Sequence, residues 1–170
     1  MGTRTWPADW DWRLAGDECP MCREGRPDDN GWGLRFHAGS YSDAYLQRQP
    51  LAPGYTIVIW RGDRHVTELF DLSADELSAY MAEVALVARA IAERYRPAKI
   101  NYQVLGNAEP HVHTHVVPRF VDDRAPEMPL TPPDDPTPIP DERLRAEVAG
   151  LAAIIREIGS PPSPKPGRRD

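Results

Sequence analysis

The sequence has very little cysteine: Cys19 and Cys22 are the two among 170 residues, which excludes a framework of several disulfides. No apolar run approaches the roughly 20 residues that cross a membrane. The N-terminus, MGTRTWPADWDW, lacks the apolar segment of a secretory signal. A net charge of -6 argues against the basic surface of a nucleic-acid-binding module. These absences predict a cytoplasmic protein whose partners include neither a membrane nor a nucleic-acid polymer.

Proline, in contrast, is abundant and unevenly placed. The run PEMPLTPPDDPTPIP, residues 126–140, is too rich in proline for a helix or a sheet strand and predicts an extended linker. The segment after it has apolar residues at helical spacing and predicts an amphipathic helix. We therefore expect an N-terminal tail at 1–17, a compact domain at 18–125, the linker at 126–140, a C-terminal helix at 141–158 and a disordered tail at 159–170.

The order of the predicted elements indicates the fold class. Five segments have the residue types or the alternation of strands, namely 33–37, 41–46, 55–60, 100–105 and 111–117. Between the third and the fourth, Ser73 and Glu76 form a capping box, and apolar residues at helical spacing continue to Tyr95. Strands, one long helix and two further strands predict an α+β fold, with an antiparallel sheet covered by the helix.

The segment 111–117, HVHTHVV, is the most informative part of the chain. Histidine is rare, with five in 170 residues, yet His111, His113 and His115 occupy alternate positions. In a strand such positions share a face and lie about 6.6 Å apart. A solvated row without function is one interpretation. The acid–base and ligand chemistry of imidazole near neutral pH favours a functional one.

Two kinds of chemistry use such a row of imidazoles. A zinc ion needs its ligands at about 2.1 Å, whereas three alternate positions on a straight strand span about 13 Å. In phosphate chemistry, one imidazole attacks phosphorus while its neighbours hold the phosphoryl oxygens. A row of donors suits an extended phosphate group better than a point cation, so the spacing favours phosphate chemistry.

These residues resemble the signature H-φ-H-φ-H-φ-φ (φ apolar) of the histidine triad (HIT) superfamily of nucleotide hydrolases and transferases, apart from Thr114. The surrounding text, KINYQVLGNAEPHVHTHVVPRF, resembles the bacterial branch with dinucleoside polyphosphate hydrolases, and the likeness extends over about residues 18–120. The resemblance implies a HIT-like fold with a five-stranded antiparallel sheet and one long helix, to which this chain adds its C-terminal helix. It also implies a homodimer.

The resemblance assigns an enzymatic role to two of the histidines. His113 would attack the α-phosphorus of a nucleotide and form a nucleotidyl-histidine intermediate, while His115 would orient the phosphoryl oxygens. The chemistry would need no metal ion. The expected substrate is an adenine-containing nucleoside phosphate derivative: a dinucleoside polyphosphate, a nucleotide phosphoramidate or an adenylylated conjugate. Hydrolysis and nucleotidyl transfer both fit this scheme.

By the same resemblance, Asn101 and Asn107 occupy positions near the phosphates, and Gln47 occupies the position that binds the ribose hydroxyls. The sequence departs from the family at two further places. The usual Gly-His of a turn is Gly54–Tyr55, and Ala108 stands where several branches have a hydroxyl residue. The second departure leaves the preferred leaving group open.

The motif Cys19-Pro-Met-Cys22 fits a zinc site, a free thiol pair or a disulfide when it is considered alone. HIT proteins that carry this motif complete a zinc site with the first triad histidine and a histidine after the strand that resembles YTIVIW. Here those positions are His111 and His65. The resemblance therefore implies a closed, structural Cys₂His₂ zinc site.

Two other functions remain open at this point. A non-catalytic nucleotide-binding or scaffold protein would bind phosphate without forming a covalent intermediate. A metallohydrolase with three histidine ligands would lose turnover, but not its fold, when a chelator removes the metal.

Overall fold

The structure, a computed structural model, describes residues 6–124, 126–132 and 137–159. The helices and strands in chain order are α1 (Trp10–Ala15), α2 (Pro20–Arg23), β1 (Gly33–Ala38), β2 (Ser42–Gln47), β3 (Thr56–Trp60), α3 (Ala74–Tyr95), β4 (Lys99–Val104), β5 (His113–Arg119) and α4 (Asp141–Gly159). Within the described ranges, no helix combines the length and the apolar character needed to cross a bilayer.

The five strands form one sheet in the order β1-β2-β3-β5-β4, and each neighbouring pair is antiparallel. The predicted α+β fold is confirmed, including the long helix and the C-terminal helix. The last strand of the chain, β5, lies between β3 and β4. Ladder hydrogen bonds on both sides therefore fix the strand that carries His113 and His115.

Helix α3 covers one face of the sheet because both carry a matching apolar surface. It begins at the predicted capping box, in which Glu76 N donates to Ser73 Oγ and Ser73 N donates to Glu76 Oε2. It ends at Arg96, which adopts a left-handed conformation with φ 50° before Pro97. The buried core between helix and sheet includes Val58, Trp60, Val112, Val116, Tyr80, Val84, Val87 and Ile91.

Helix α4 packs on α3 and β1, on the same side of the sheet as α3. Its Leu144 and Leu151 are fully buried. Glu147 accepts hydrogen bonds from Arg94 Nε at 3.0 Å and from Tyr95 Oη at 2.8 Å. The C-terminal helix therefore extends the core on the α3 side of the sheet and does not cover the other face.

The N-terminal segment differs from the expected tail. It contains α1, and Arg13 in α1 donates to the carbonyl oxygen of Ala108 at 2.8 Å and pairs with Glu109 at 3.0 Å. The described parts of the proline-rich segment, 126–132 and 137–140, contain no helix or strand. The domain boundaries themselves stay a prediction, and the expected disordered tail lies outside the described residues except for Gly159, which ends α4.

The histidine strand also begins later than predicted, at His113. The backbone before it makes two other hydrogen bonds: Trp60 N donates to Val112 O at 2.9 Å, and Val112 N donates to Val66 O at 2.8 Å. His111 therefore lies just outside the strand, where its ring is free to turn away from His113 and His115.

Thr114, the one departure from the apolar pattern of the triad, has a partner in α3. Its Oγ1 lies 2.9 Å from Tyr80 Oη, which also donates to Val58 O at 3.1 Å, and both side chains are fully buried. Tyr80→Phe should lower the free energy of unfolding by about 1–3 kcal/mol, because it leaves the buried threonine hydroxyl unpaired. Adding Thr114→Val should recover part of this loss in urea unfolding. Strictly additive effects of the two substitutions would contradict this pairing.

Candidate active site and metal centre

The face of the sheet opposite α3 carries the two histidines of β5. The register places Ile59 beside His113, and it places Ile57 and Gln103 on either side of His115. Directly opposed residues of antiparallel strands share a face of the sheet. Both imidazoles therefore lie beside an apolar surface on β3, and His115 also lies beside the polar Gln103 on β4.

The hydrogen bonds of His113 determine where its proton sits. Its Nδ1 lies 2.6 Å from the carbonyl oxygen of His111, which can only accept, so Nδ1 carries the proton. The neutral ring then has its lone pair on Nε2, which lies 3.1 Å from Nε2 of His115. Two lone pairs at that distance would repel each other, so His115 carries its proton on Nε2 and donates it to His113.

Burial keeps these imidazoles uncharged. Desolvation lowers the pKa of His113, and it lowers the pKa of His115 to about 4 with a smaller contribution from His113. Both rings are therefore neutral at pH 7. The site combines a nitrogen lone pair with an adjacent N–H donor, which is the pair of groups that nucleophilic attack on a phosphoryl group needs.

The three amide residues predicted to bind substrate lie at different places. Gln47 is buried at the end of β2, where its Nε2 donates to Tyr45 O at 3.2 Å. Asn101 pairs with Val117 and thus faces the histidine side, and its Oδ1 accepts from Arg119 at 2.7 Å. Asn107 lies in the exposed loop between β4 and β5. Gln47 and Asn101 therefore lie on the same face of the sheet as His113 and His115, whereas Asn107 lies in the loop.

Two residues of this face are absent from the sequence-based prediction of the site. Gln103 is the direct neighbour of His115 in the sheet. Tyr55, whose hydroxyl lies 2.6 Å from His115 Nδ1, appears in the sequence only as a departure from the Gly-His pattern. Asn101 and Gln103 are two residues apart on β4, so the sequence already indicates that both side chains face the same side of the sheet. Only the β4–β5 register shows which histidine lies beside Gln103.

A second cluster lies beside the triad. The ligand atoms of Cys19, Cys22, His65 and His111 all lie within 4.8 Å of one another. Three Sγ–Nδ1 distances are 3.6, 3.5 and 3.4 Å. Ligands about 2.0–2.3 Å from a shared tetrahedral centre lie about 3.3–3.8 Å from each other, so the four predicted residues fit a zinc ion.

The proton position of His111 also suits a cation. His111 Nε2 donates to Trp60 O at 2.9 Å, so the lone pair of the neutral ring is on Nδ1, which faces both sulfurs. Burial lowers the pKa of His111 to about 4. Both cysteines are free thiols, and burial, with a contribution from Cys19, raises the pKa of Cys22 to about 11. A bound cation would displace these protons.

A buried carboxylate anchors the cysteine segment to the sheet. Asp43 on β2 is fully buried and pairs with Arg26 at 2.7 Å, with Arg61 at 3.1 Å and with Arg35 at 3.4 Å. Arg61 also donates to the carbonyl oxygen of Met21, between the two cysteines. These charge-assisted hydrogen bonds hold α2 against β2 and β3 and thereby place both thiols beside His111.

Comparison with protein families matches the HIT domain to residues 37–122, slightly more than half of the 170 residues. Among curated proteins, the chain is 29% identical over 90 residues to bis(5'-adenosyl)-triphosphatase of Saccharomyces cerevisiae, covering 50% of this chain and 43% of the relative. It is 30% identical over 89 residues to bis(5'-nucleosyl)-tetraphosphatase [asymmetrical] of Schizosaccharomyces pombe, covering 49% and 48%. The chain thus spans about half the length of the curated relatives it matches.

Solved structures share the fold at low sequence identity. A histidine triad protein from Bradyrhizobium japonicum superposes with a TM-score of 0.66 at 22% identity, over 73% of this chain and 91% of that protein. A Zn-bound histidine triad family protein from Mycobacterium smegmatis superposes with a TM-score of 0.61 at 21% identity, over 83% and 95%. These structures show a shared fold, and the family match shows that the chain belongs to the HIT family.

Proposed function

We propose that the protein is a nucleotide hydrolase or nucleotidyl transferase that acts at the α-phosphate of an adenine-containing nucleoside phosphate derivative. The observation that carries this proposal is the proton arrangement of His113: Nδ1 donates to His111 O, and the lone pair on Nε2 lies beside the Nε2–H of His115. The names of the two curated relatives, both hydrolases of dinucleoside polyphosphates, favour that substrate class. Nucleotide phosphoramidates and adenylylated conjugates contain the same reacting phosphorus.

In the first step, His113 Nε2 attacks the α-phosphorus. A P–N bond forms, the P–O bond to the leaving phosphate breaks, and the leaving group takes the electron pair. His115 is proposed to donate its Nε2 proton in a hydrogen bond to a non-bridging oxygen, where negative charge develops in the transition state. This arrangement replaces the His115–His113 hydrogen bond of the free protein with one to the substrate.

In the second step, water attacks the phosphorus of the nucleotidyl-histidine. A P–O bond forms, the P–N bond breaks, the imidazole regains its lone pair, and the water proton passes to solvent. The product is a nucleoside monophosphate. Another hydroxyl or phosphate acceptor in place of water would make the same two steps a nucleotidyl transfer.

The cluster of Cys19, Cys22, His65 and His111 is proposed to hold a structural zinc ion. Bound zinc would link the cysteine segment to the start of the triad. Four protein ligands leave no position for substrate, which separates the metal from the chemistry. Within the described residues, the cluster includes His111 alone of the triad, and this argues against a metallohydrolase with three histidine ligands.

Gln47 and Asn101 are proposed to bind the nucleotide, with Gln47 on the ribose hydroxyls and Asn101 near the phosphates. Asn107 is proposed to approach the phosphates from its loop. A second copy of the chain is the proposed protein partner. The outer strand β4 supports this, because its Tyr102 and Val104 are 50% and 40% exposed and an outer strand can pair with a strand of a second copy.

Gln47→Ala should raise KM by about 10-fold and have a smaller effect on kcat. The reason is that a lost hydrogen bond to the ribose weakens substrate binding equally in the ground state and in the transition state. Steady-state kinetics with a dinucleoside polyphosphate would measure this. Gln49→Ala, at an exposed position two residues away, is the matched control and should leave both constants unchanged. An unaltered KM in the Gln47 variant would refute the ribose assignment.

The proposed reaction can be tested by hydrolysis of diadenosine triphosphate in H₂¹⁸O without added metal ions. Attack at the α-phosphorus predicts that ¹⁸O enters AMP and that ADP is unlabelled. Label in ADP would place the attack at the β-phosphorus and contradict the proposal. If this substrate, diadenosine tetraphosphate and adenosine phosphoramidate all bind without turnover, the protein is a nucleotide-binding module instead.

A further inference from the structure

Tyr55 makes a direct contact with the last histidine of the triad. Its hydroxyl lies 2.6 Å from His115 Nδ1, and the two rings stack with centroids 5.9 Å apart and planes inclined by 10°. Tyr55 is 8% exposed. The turn before β3 usually reads Gly-His in this family, so a phenol here stands where an imidazole is usual.

The direction of this hydrogen bond follows from the neighbouring protons. If His115 donated from Nδ1 to Tyr55, its Nε2 would carry a lone pair facing the Nε2 lone pair of His113 at 3.1 Å. That arrangement is repulsive. A neutral His115 satisfies both contacts only when Tyr55 donates to Nδ1 and the imidazole proton is on Nε2.

We propose that Tyr55 is a positioning residue that fixes the ring orientation and the proton position of His115, so that its Nε2–H points at the reacting phosphoryl group. The torsion about Cβ–Cγ of a histidine is broad by itself, and a directional hydrogen bond at Nδ1 selects one orientation. The catalytic consequence rests on the proposed function, whereas the position of the proton does not.

The surroundings of Tyr55 keep the phenol in its role as a donor. The ring packs with Ala52, Val117 and Leu130, and Leu130 belongs to the proline-rich segment that follows the domain. Burial raises the pKa of Tyr55 to about 12, so the hydroxyl keeps its proton throughout the neutral range. An imidazole at this position would carry a proton that titrates near neutrality. The phenol therefore gives His115 a donor that stays protonated throughout the neutral range.

The test is the ¹⁵N NMR signature of His115 in the free, full-length protein near pH 7.5. In the wild type, we expect Nε2 to be protonated and Nδ1 to be unprotonated, with the chemical shift of a hydrogen-bonded acceptor. In Tyr55→Phe, the Nδ1 resonance should move to the position of a free acceptor or average with Nε2. Tyr95→Phe is the matched control: it removes the hydroxyl bonded to Glu147 on the other side of the sheet and should leave His115 unchanged.

Kinetics then separate the inference from the proposed function. Tyr55→Phe should lower kcat by about 10- to 100-fold and change KM by less than about 3-fold, because the lost positioning acts on the transition state. A wild-type His115 protonated on Nδ1, or an Nδ1 resonance indifferent to Tyr55→Phe, would overturn the inference. The expected spectra in a protein without turnover would uphold the positioning of His115 and refute the enzymatic function.

Discussion

His113→Ala is expected to lower kcat for a dinucleoside polyphosphate by about 10⁴-fold or more, since it removes the attacking nitrogen itself. His115→Ala should cost about 10²- to 10³-fold, the usual effect of losing one donor to a developing oxyanion. The difference between the two variants is informative, because a merely electrostatic role for both imidazoles would make the two decreases in kcat similar. Steady-state kinetics of the purified variants measures both decreases.

His37→Ala is the matched control for these substitutions. His37 lies on β1 and belongs to neither the triad nor the cysteine cluster, so its loss should leave kcat within about 2-fold. A His113 variant with the turnover of the wild type would show that another group attacks phosphorus. The account of the catalytic face would then be wrong.

Replacing Cys19 and Cys22 together by serine is expected to abolish the retention of one zinc ion per chain and to destabilise the fold. A ligand at 100 to 1,000 times its Kd contributes about 3–4 kcal/mol of stability. Its loss corresponds to a fall in Tm of about 10 °C for a chain of this size. Elemental analysis after dialysis and thermal unfolding measure the two effects.

The same double substitution should also lower kcat, by about 10- to 100-fold, although the proposed zinc site is structural. The reason is the dual role of His111: its ring belongs to the cluster with Cys19, Cys22 and His65, and its carbonyl oxygen accepts the Nδ1 proton of His113 at 2.6 Å. His37→Ala should retain zinc. Metal-free wild-type protein, with a Tm that the serine substitutions do not alter, would contradict the site.

Local patterns in the sequence were sufficient for the five strands and the two long helices, but not for the short helices α1 and α2. The capping box at Ser73 and Glu76 lies where α3 begins, because its two hydrogen bonds involve residues three apart. Alternation over HVHTHVV correctly indicates that His113 and His115 share a face. Both are short-range signals, and neither depends on which strands become neighbours.

The rest of the site depends on contacts between distant segments. The pairing of Gln103 with His115 requires the β4–β5 register, and the three arginine partners of the buried Asp43 come from different places in the chain. His111 lies outside the strand, and the carbonyl oxygen of the distant Trp60 accepts its Nε2 proton. No spacing along the sequence contains that information. The four proposed metal ligands were identified from the resemblance to the family, and the structure places their ligand atoms close together.

The most direct test of the central claim is the mass of the protein during a single turnover of diadenosine triphosphate. The reaction would be quenched under denaturing alkaline conditions, which preserve a phosphoramidate, and analysed intact and after proteolysis. The account predicts a transient increase by one adenylyl group, located on His113. Formation of AMP at the single-turnover rate without any adduct, or with the adduct on another residue, would contradict it.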